Sequence, residues 1–269
     1  MAEAEEFHTP PAPAATVLLL RDEPVFEVLM IERHENSAFA GGALVFPGGR
    51  VDPGDRLAEW AELADGLSDD PVFAAAEVAA IREAFEEVGV LLARDEKGEP
   101  IGADRVQSLN SHRQLVEKDD SLFLELIRRE NLRLACDALT LFAHWIAPPG
   151  LHRRFDTHFF AASFPDGQRV LEDGNEATEA VWIEPAAALA ARKAGRRKII
   201  FPTACNLGLL TCSPNVGEAI SWAREREIRP ITPAAEKRGG KIILQIPDGL
   251  GYPVTEEPLD LARPDLSRS

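Results

Sequence analysis

Three glutamates, Glu83, Glu86 and Glu87, stand within five positions in the stretch REAFEEVGV, residues 82–90. Like charges three or four residues apart on a helix repel by a few tenths of a kcal/mol, so an exposed helix gains little from them. A rigid helical turn can instead present carboxylates to a hard cation such as Mg²⁺. Phosphate and water then complete the coordination shell of the ion. A solvated acidic face is the alternative reading of any acidic helix.

A long helix is predicted to carry this cluster. It begins with the acidic and proline residues 69–71 and ends at Gly89. At about 100° per residue, one arc of this helix is apolar and the glutamates fall on the opposite arc. The apolar arc consists of Val78, Ile81, Phe85 and Val88. We therefore expect the helix to bury one face and to offer the carboxylates on the other.

A glycine pair upstream completes a recognisable motif. In FPGGRVDPGD, residues 46–55, Gly48 and Gly49 follow a short predicted strand, where the backbone can approach a ligand. Together with residues 82–90, this stretch resembles the Nudix box, G-x5-E-x7-R-E-U-x-E-E-x-G-U, in which U is apolar. Gly49 and Asp55 match the first half of the box, and residues 82–90 match the second half in full.

The box departs from the family pattern in two ways. Asp55 stands where the family has glutamate, and 26 residues rather than seven separate it from Arg82, an insertion of nineteen. Loop-closure entropy makes such a lengthening cost only about 1 kcal/mol. The insertion is therefore compatible with a working site.

The flanking sequence is similar to the coenzyme A diphosphatase branch of the Nudix superfamily, the peroxisomal Nudix 19-like enzymes. The similarity covers residues 28–49 with the interrupted box, and it extends through residues 153–162 and 176–185 to residues 246–253. Of the coenzyme A signature, Leu29, Arg33 and residues 46–49 fit, whereas Ala38 stands where a second arginine is expected.

The resemblance implies hydrolysis of a nucleoside-diphosphate linkage by water attack at phosphorus. Glu86 and Glu87 would ligate Mg²⁺ or Mn²⁺, and Glu83 would ligate a second ion or hold its water. The carbonyl of Gly48 or Gly49 would complete the shell. Arg82 would pair with a glutamate and orient it; an exposed helix arginine is the alternative.

Family enzymes often take a further carboxylate from a later loop, as a metal ligand or catalytic base. The segment LEDGNEATEAVW offers Glu172, Glu176 and Glu179, of which we favour Glu176. An acidic loop without a role is the alternative.

An anionic substrate needs arginines, because guanidinium groups pair with phosphate through two hydrogen bonds. The candidates are Arg33, Arg50, Arg153 and Arg154. Phe39 is a candidate for lining an entrance for pantetheine or adenine, with a core aromatic as the alternative. The six histidines show no metal-ligand spacing. Nucleophile-elbow, dinucleotide-binding and P-loop motifs are absent.

The amino-acid composition limits the classes of molecule that this protein is expected to bind. The 269-residue chain has 29 basic and 45 acidic residues, a net charge of −16, which disfavours nucleic acid and anionic lipid. The acidic, proline-rich N-terminus lacks the features of a secretory signal, and no apolar run is long enough for a membrane span, so we expect a cytoplasmic protein. Three scattered cysteines are interpreted as reduced core residues.

The order of predicted elements is mixed, which favours an α+β or mixed α/β fold. The resemblance implies a Nudix-type α/β/α sandwich with a mixed sheet. We predict a disordered tail at residues 1–12, a Nudix domain at 13–200 with inserts at about 56–72 and 96–135, and a helical C-terminal extension at 201–269 that packs on the same domain. A homodimer remains an open alternative.

The leading functional hypothesis is metal-dependent hydrolysis of coenzyme A or acyl-coenzyme A to phosphopantetheine and adenosine 3',5'-bisphosphate. The alternative within the same chemistry is ADP-ribose, a dinucleotide or a dinucleoside polyphosphate as the substrate. A non-catalytic nucleotide-binding sensor is the alternative of another class; it is disfavoured because all three box glutamates are present.

Overall fold

The computed structural model describes residues 10–35, 40–149, 153–171 and 177–259. Within these ranges the helices are α1 (Trp60–Leu63), α2 (Pro71–Val88), α3 (Ala103–Leu109), α4 (Arg113–Lys118), α5 (Ser121–Arg129), α6 (Pro185–Lys193), α7 (Phe201–Leu210) and α8 (Val216–Glu225). The strands are β1 (Ala12–Arg21), β2 (Glu27–Arg33), β3 (Leu44–Val45), β4 (Gly48–Arg50), β5 (Ala64–Asp65), β6 (Ala93–Arg94), β7 (Arg133–Ala135), β8 (Thr140–Ile146), β9 (Phe155–Ser163), β10 (Ala177–Ile183), β11 (Pro230–Ile231), β12 (Ala234–Arg238), β13 (Lys241–Gln245) and β14 (Glu256–Pro258).

The main sheet is mixed. Its strand order is β10-β2-β1-β9-β8-β11, with β3 paired to β2 and β4 paired to β1. The β1–β9 and β8–β11 pairs are parallel, and the other pairs are antiparallel. Two small sheets, β12-β13-β14 and β5-β7-β6, lie outside it.

The sheet separates two hydrophobic cores. Along β1, Val17 and Leu19 enter one core while Leu18 and Leu20 enter the other, because successive side chains of a strand point to opposite faces. Helices α2 to α5 contribute to the first core, and helices α6 to α8 contribute to the second. The predicted mixed α/β sandwich is therefore confirmed. None of the helices in the described ranges is long and apolar enough to cross a bilayer.

Two local predictions differ from the structure. The C-terminal extension was predicted to be helical, but strands β11 to β14 follow helices α7 and α8. Strand β12 is exposed along its whole length and has no apolar alternation that would reveal it in the sequence. Cys212 is exposed rather than in the core.

Helix α2 begins and ends as its sequence predicts. The Asp70 side chain accepts hydrogen bonds from the N–H groups of Val72 and Phe73, and Gly89 ends the helix with φ at 65°. Its surroundings differ from the expectation, because every residue from Ala75 to Val88 is buried, whichever face it occupies. The carboxylates are therefore largely buried and do not form a solvated surface.

Glu77 is a buried carboxyl on α2, upstream of the box glutamates. Its side chain is 6% exposed, and its Oε2 accepts a hydrogen bond from the Ser68 N–H at 3.0 Å. Burial raises the pKa of Glu77 from 4.5 to about 7, and the bond from Ser68 offsets only part of that effect. The folded chain consequently binds more protons than the unfolded chain between these two pH values.

Glu77→Gln should therefore stabilise the protein in a pH-dependent way. Because the pKa of this carboxyl is raised in the folded state, the free energy of unfolding falls as pH rises from about 4.5 to about 7. Glutamine does not titrate, so the variant does not lose this stability. We expect the variant to be more stable than the wild type by about 1–3 kcal/mol at about pH 8, with no such advantage near pH 4.5. Urea unfolding across this pH range measures the difference. Exposed Glu125→Gln is the control, and a pH-independent advantage of Glu77→Gln would contradict the argument.

Candidate metal centre and cleft

The glycine strand β4 lies directly against the last turns of α2. The Gly48 N–H donates to Glu87 Oε2 at 2.8 Å. A Cβ atom at Gly49 would lie 2.4 Å from Glu83 Oε1, and one at Gly48 would lie 2.4 Å from the Ala15 carbonyl oxygen. Only residues without a side chain allow this approach, so the glycine pair brings the backbone to the glutamates.

Arg82 joins the two halves of the interrupted box. Its Nε and Nη2 donate to the two carboxylate oxygens of Asp55, at 2.8 and 3.0 Å. Its Nη1 lies 3.0 Å from an oxygen of Glu83 and 3.0 Å from an oxygen of Glu86, and its Nη2 also donates to the Arg50 carbonyl at 2.9 Å. The sequence predicted pairing with a glutamate; the bidentate pair with Asp55 was missed. The insertion therefore lengthens the chain between Asp55 and Arg82 without separating the two side chains.

The carboxylates are crowded and desolvated. Glu83 and Glu86 are each 9% exposed, and Glu87 and Asp55 are each 3% exposed. Burial, opposed by Arg82, raises the pKa of Glu83 to about 8 and that of Glu86 to about 7. Burial raises the pKa of Asp55 in the same way. In each case desolvation by burial is the largest cause, and Arg82 offsets only part of it.

This donor set fits a hard divalent cation. The ligands on offer are carboxylate and backbone oxygens, which suit Mg²⁺ or Mn²⁺ and do not favour soft metals. A bound dication would favour the ionised forms of Glu83 and Glu86, whose burial otherwise favours protonation. The residues that could hold it are Glu83, Glu86, Glu87 and the Gly49 carbonyl.

Glu83 and Glu86 line a cleft of about 1270 Å³. Arg33, Arg50 and Arg153 also line it, which places three of the four predicted substrate-binding arginines around one cavity. An extensive apolar part of the wall comes from the sheet, from the start of α7 and from the C-terminal strands. These apolar residues include Trp145, Phe155, Phe159, Phe201, Pro202 and Leu244.

The arginines differ in their surroundings. Arg33 Nη1 lies 3.9 Å from Glu87 Oε1, and the Arg33 Nε is buried without a hydrogen-bond partner in the described structure. Arg154 instead donates from Nε to the Ala147 carbonyl at 3.0 Å, which joins the residue before β9 to the residue after β8. The predicted residues Phe39 and Glu176 lie outside the described residues, and so does Ala38. Glu172 lies outside the described residues too, whereas Glu179 lies in β10 and pairs with Arg197 at 2.9 Å.

The 96–135 insert also supports the site, a role that the sequence did not reveal. Buried Arg113 of α4 donates from Nε and Nη2 to the Glu86 carbonyl, at 3.1 and 2.8 Å. The carboxylate of Asp120 accepts a hydrogen bond from the Gly54 N–H, next to Asp55. Glu117 of α4 lines the cleft, and its charge contributes to the raised pKa of Glu86. Nothing in the spacing of these residues links them to the box.

Comparison with known proteins connects this geometry to a family. The family model described as the NUDT19 Nudix domain matches residues 67–207. Acyl-coenzyme A diphosphatase NUDT19 of Xenopus laevis is 25% identical over 284 residues, covering 90% of this chain and 73% of that protein. The human protein of the same name is 28% identical over 204 residues, covering 61% of this chain and 54% of that protein. The chain thus spans about half the length of the human relative.

A solved structure supports the same assignment. The crystal structure of a NUDIX hydrolase from Alicyclobacillus acidocaldarius is 30% identical, with a TM-score of 0.66. The match covers 80% of this chain and 97% of that one.

Proposed function

The chain belongs to the family of the NUDT19 Nudix domain, and from that premise we propose that this Nudix hydrolase cleaves the diphosphate of coenzyme A or acyl-coenzyme A. The products are the phosphopantetheine, free or acylated, and adenosine 3',5'-bisphosphate. The observation that carries the proposal is the cleft, in which buried carboxylates and arginines share one cavity with a long apolar wall. The names of the frog and human relatives point to the same substrate class.

The cleft suits a substrate with two chemically different ends. Its volume of about 1270 Å³ exceeds the roughly 300–1,000 Å³ of common small-molecule pockets, and coenzyme A thioesters are large ligands. Arg33, Arg50 and Arg153 are the side chains to pair with its phosphates. The apolar residues, such as Trp145 and Phe201, are placed to pack against the pantetheine arm and an acyl chain.

Each box residue has a part in the proposed reaction. A bound Mg²⁺ or Mn²⁺ supplies charge neutralisation at the diphosphate and a more acidic water. Glu83, Glu86, Glu87 and the Gly49 carbonyl hold the cation, and Arg82 keeps two of these glutamates in place against Asp55. Glu176 stays the predicted base or further ligand of the later loop.

A second candidate substrate class rests on Ala38. Because this residue stands where the coenzyme A signature has its second arginine, ADP-ribose, a dinucleotide or a dinucleoside polyphosphate is the competing substrate. A nucleotide sensor without activity is disfavoured by the intact, buried set of Glu83, Glu86 and Glu87.

The proposal is tested by incubating the full chain with Mg²⁺ or Mn²⁺ and a panel of substrates. The panel comprises coenzyme A, acetyl-coenzyme A, a long-chain acyl-coenzyme A, ADP-ribose, NADH and diadenosine polyphosphates. Chromatography that shows phosphopantetheine and adenosine 3',5'-bisphosphate supports the proposal. Preferred cleavage of another panel member would retain the hydrolase and reject coenzyme A. Binding without turnover of any member would favour the sensor.

Gly49→Ala should lower hydrolysis through Glu83. The added Cβ would lie 2.4 Å from Glu83 Oε1, so the carboxylate has to move away from the position that faces the cleft. We expect an activity loss of about ten- to a hundred-fold, the usual range for disturbing a residue that orients a metal ligand, with a weaker apparent affinity for Mg²⁺. Titration of activity with Mg²⁺ measures both effects. Gly102→Ala, whose Cβ meets nothing within 4 Å, is the matched control. Full activity of Gly49→Ala would show that Glu83 tolerates the displacement.

A further inference from the structure

Two adjacent strands present a group of metal-ligating side chains away from the box. Strands β8 and β9 pair antiparallel, with His144 directly opposite His158. Asp156 lies two residues before His158 on the same strand, so it points to the same face of the sheet. Among the described residues, these three alone place one His, Cys, Asp or Glu ligand atom each within 4.8 Å of one another.

The contacts within this group leave one imidazole without a polar partner. His144 Nε2 lies 2.5 Å from Asp156 Oδ1. The rings of His144 and His158 are stacked, with centroids 4.1 Å apart and planes 21° from parallel. Within the described part of the chain, the His158 side chain makes ring contacts but no hydrogen bond. An ordinary His–Asp hydrogen bond accounts for His144 and Asp156, but it gives His158 no polar role.

The group is separate from the box glutamates. The Phe73 ring, near the start of α2, meets the His158 ring edge-on at 5.5 Å between centroids. Glu83 is ten residues further along the same helix, which corresponds to about 15 Å at 1.5 Å per residue. The cleft-lining residues of β9, including Thr157 and Phe159, alternate with Asp156 and His158 and so point to the other face of the sheet.

From this geometry we infer that His144, Asp156 and His158 form a second metal site, for a borderline transition ion such as Zn²⁺, Co²⁺ or Ni²⁺. Two imidazole nitrogens and one carboxylate oxygen suit these ions, whereas Mg²⁺ and Ca²⁺ prefer oxygen ligands alone. Water would fill the remaining positions, because all three side chains are only partly buried. The inference stands apart from the proposed hydrolysis.

The surroundings support a cation at this position. Asp156 and Asp70 both direct negative charge at the His158 ring. The ligands come from paired strands, whose hydrogen bonds keep the three side chains in register.

The test is titration of the full chain with Co²⁺ and Zn²⁺ in excess Mg²⁺, which occupies oxygen-only sites. We expect one equivalent of Co²⁺ to develop the visible ligand-field absorption of a low-coordinate site with nitrogen ligands, and one equivalent of Zn²⁺ to displace it. His144→Gln, His158→Gln and Asp156→Asn should each weaken Zn²⁺ binding at least ten-fold in calorimetry. His112→Gln removes a histidine outside the group and should leave the affinity unchanged.

Two results would overturn the inference. One is a wild-type protein that develops no such Co²⁺ absorption. The other is undiminished Zn²⁺ affinity in all three variants of the group, which would place the ion elsewhere. Asp156→Asn changes a partly exposed side chain by one atom, so it keeps the test valid if a histidine variant fails to fold. Thermal unfolding adds a second readout, because Zn²⁺ should raise the melting temperature of the wild type but not of the three variants.

Discussion

Replacing Glu87 with glutamine should lower kcat for hydrolysis by about a thousand-fold, which corresponds to about 4 kcal/mol of transition-state stabilisation. Glu87 is 3% exposed, and its Oε2 accepts the Gly48 N–H at 2.8 Å. A glutamine can still accept that hydrogen bond, so the turn and the glycine strand keep their places. The negative charge is lost, and with it one of the oxygen ligands that we propose for the cation at the diphosphate.

The matched control is Glu77→Gln, the same substitution of another buried glutamate on the same helix. Glu77 lies ten residues before Glu87, and its carboxylate accepts a hydrogen bond from Ser68 rather than from the glycine strand. We expect it to retain wild-type activity, measured as product formation from coenzyme A under saturating Mg²⁺. If Glu87→Gln kept more than a tenth of the wild-type rate, Glu87 would not be a ligand of the catalytic cation. A KM change without a kcat change would place Glu87 in substrate binding instead.

The α2 part of the site could be predicted from sequence because its determinants are local. Asp70, Pro71 and Gly89 fix the ends of α2, and a 100° step then places Glu83, Glu86 and Glu87 relative to one another. Periodicity shows which side chains share a face, but it does not show what covers that face. The burial of the glutamates therefore came only from the structure, where β4 and the insert close over them.

The rest of the site depends on contacts between residues far apart in sequence. Arg113 reaches the Glu86 carbonyl from an inserted helix, 27 residues away. No repeat or residue spacing in the sequence predicts such a contact. His144 and His158 meet because β8 and β9 pair in one particular register, and a shift of one residue would place them on opposite faces. The histidines were assessed in the sequence by their spacing along the chain, and spacing along the chain does not show which residues meet across a strand pair.

Replacing Arg82 with methionine should be among the most destabilising single substitutions in this chain. Arg82 is 2% exposed and lies 3.0 Å or less from atoms of Asp55, Glu83 and Glu86. Methionine retains much of the apolar stem but leaves three buried carboxylates without their shared cation. Breaking a buried ion pair from one side costs about 3–5 kcal/mol, so we expect a loss of that size in the free energy of unfolding without divalent metal.

Exposed Arg238 provides the comparison, because it pairs with Glu236 and Glu256 while 44% exposed. Arg238→Met should leave the free energy of unfolding almost unchanged, since solvent screens the ion pairs of Arg238. In urea unfolding, two additions should restore part of the stability lost in Arg82→Met. One is Mn²⁺, which can replace the guanidinium as the cation beside the glutamates. The other is Asp55→Asn, which removes one of the unpaired buried charges. The double variant should therefore lose less free energy of unfolding than the two single variants lose in sum. If Arg82→Met unfolds like the wild type, or if neither addition restores stability, the glutamates do not depend on the guanidinium for their charge balance.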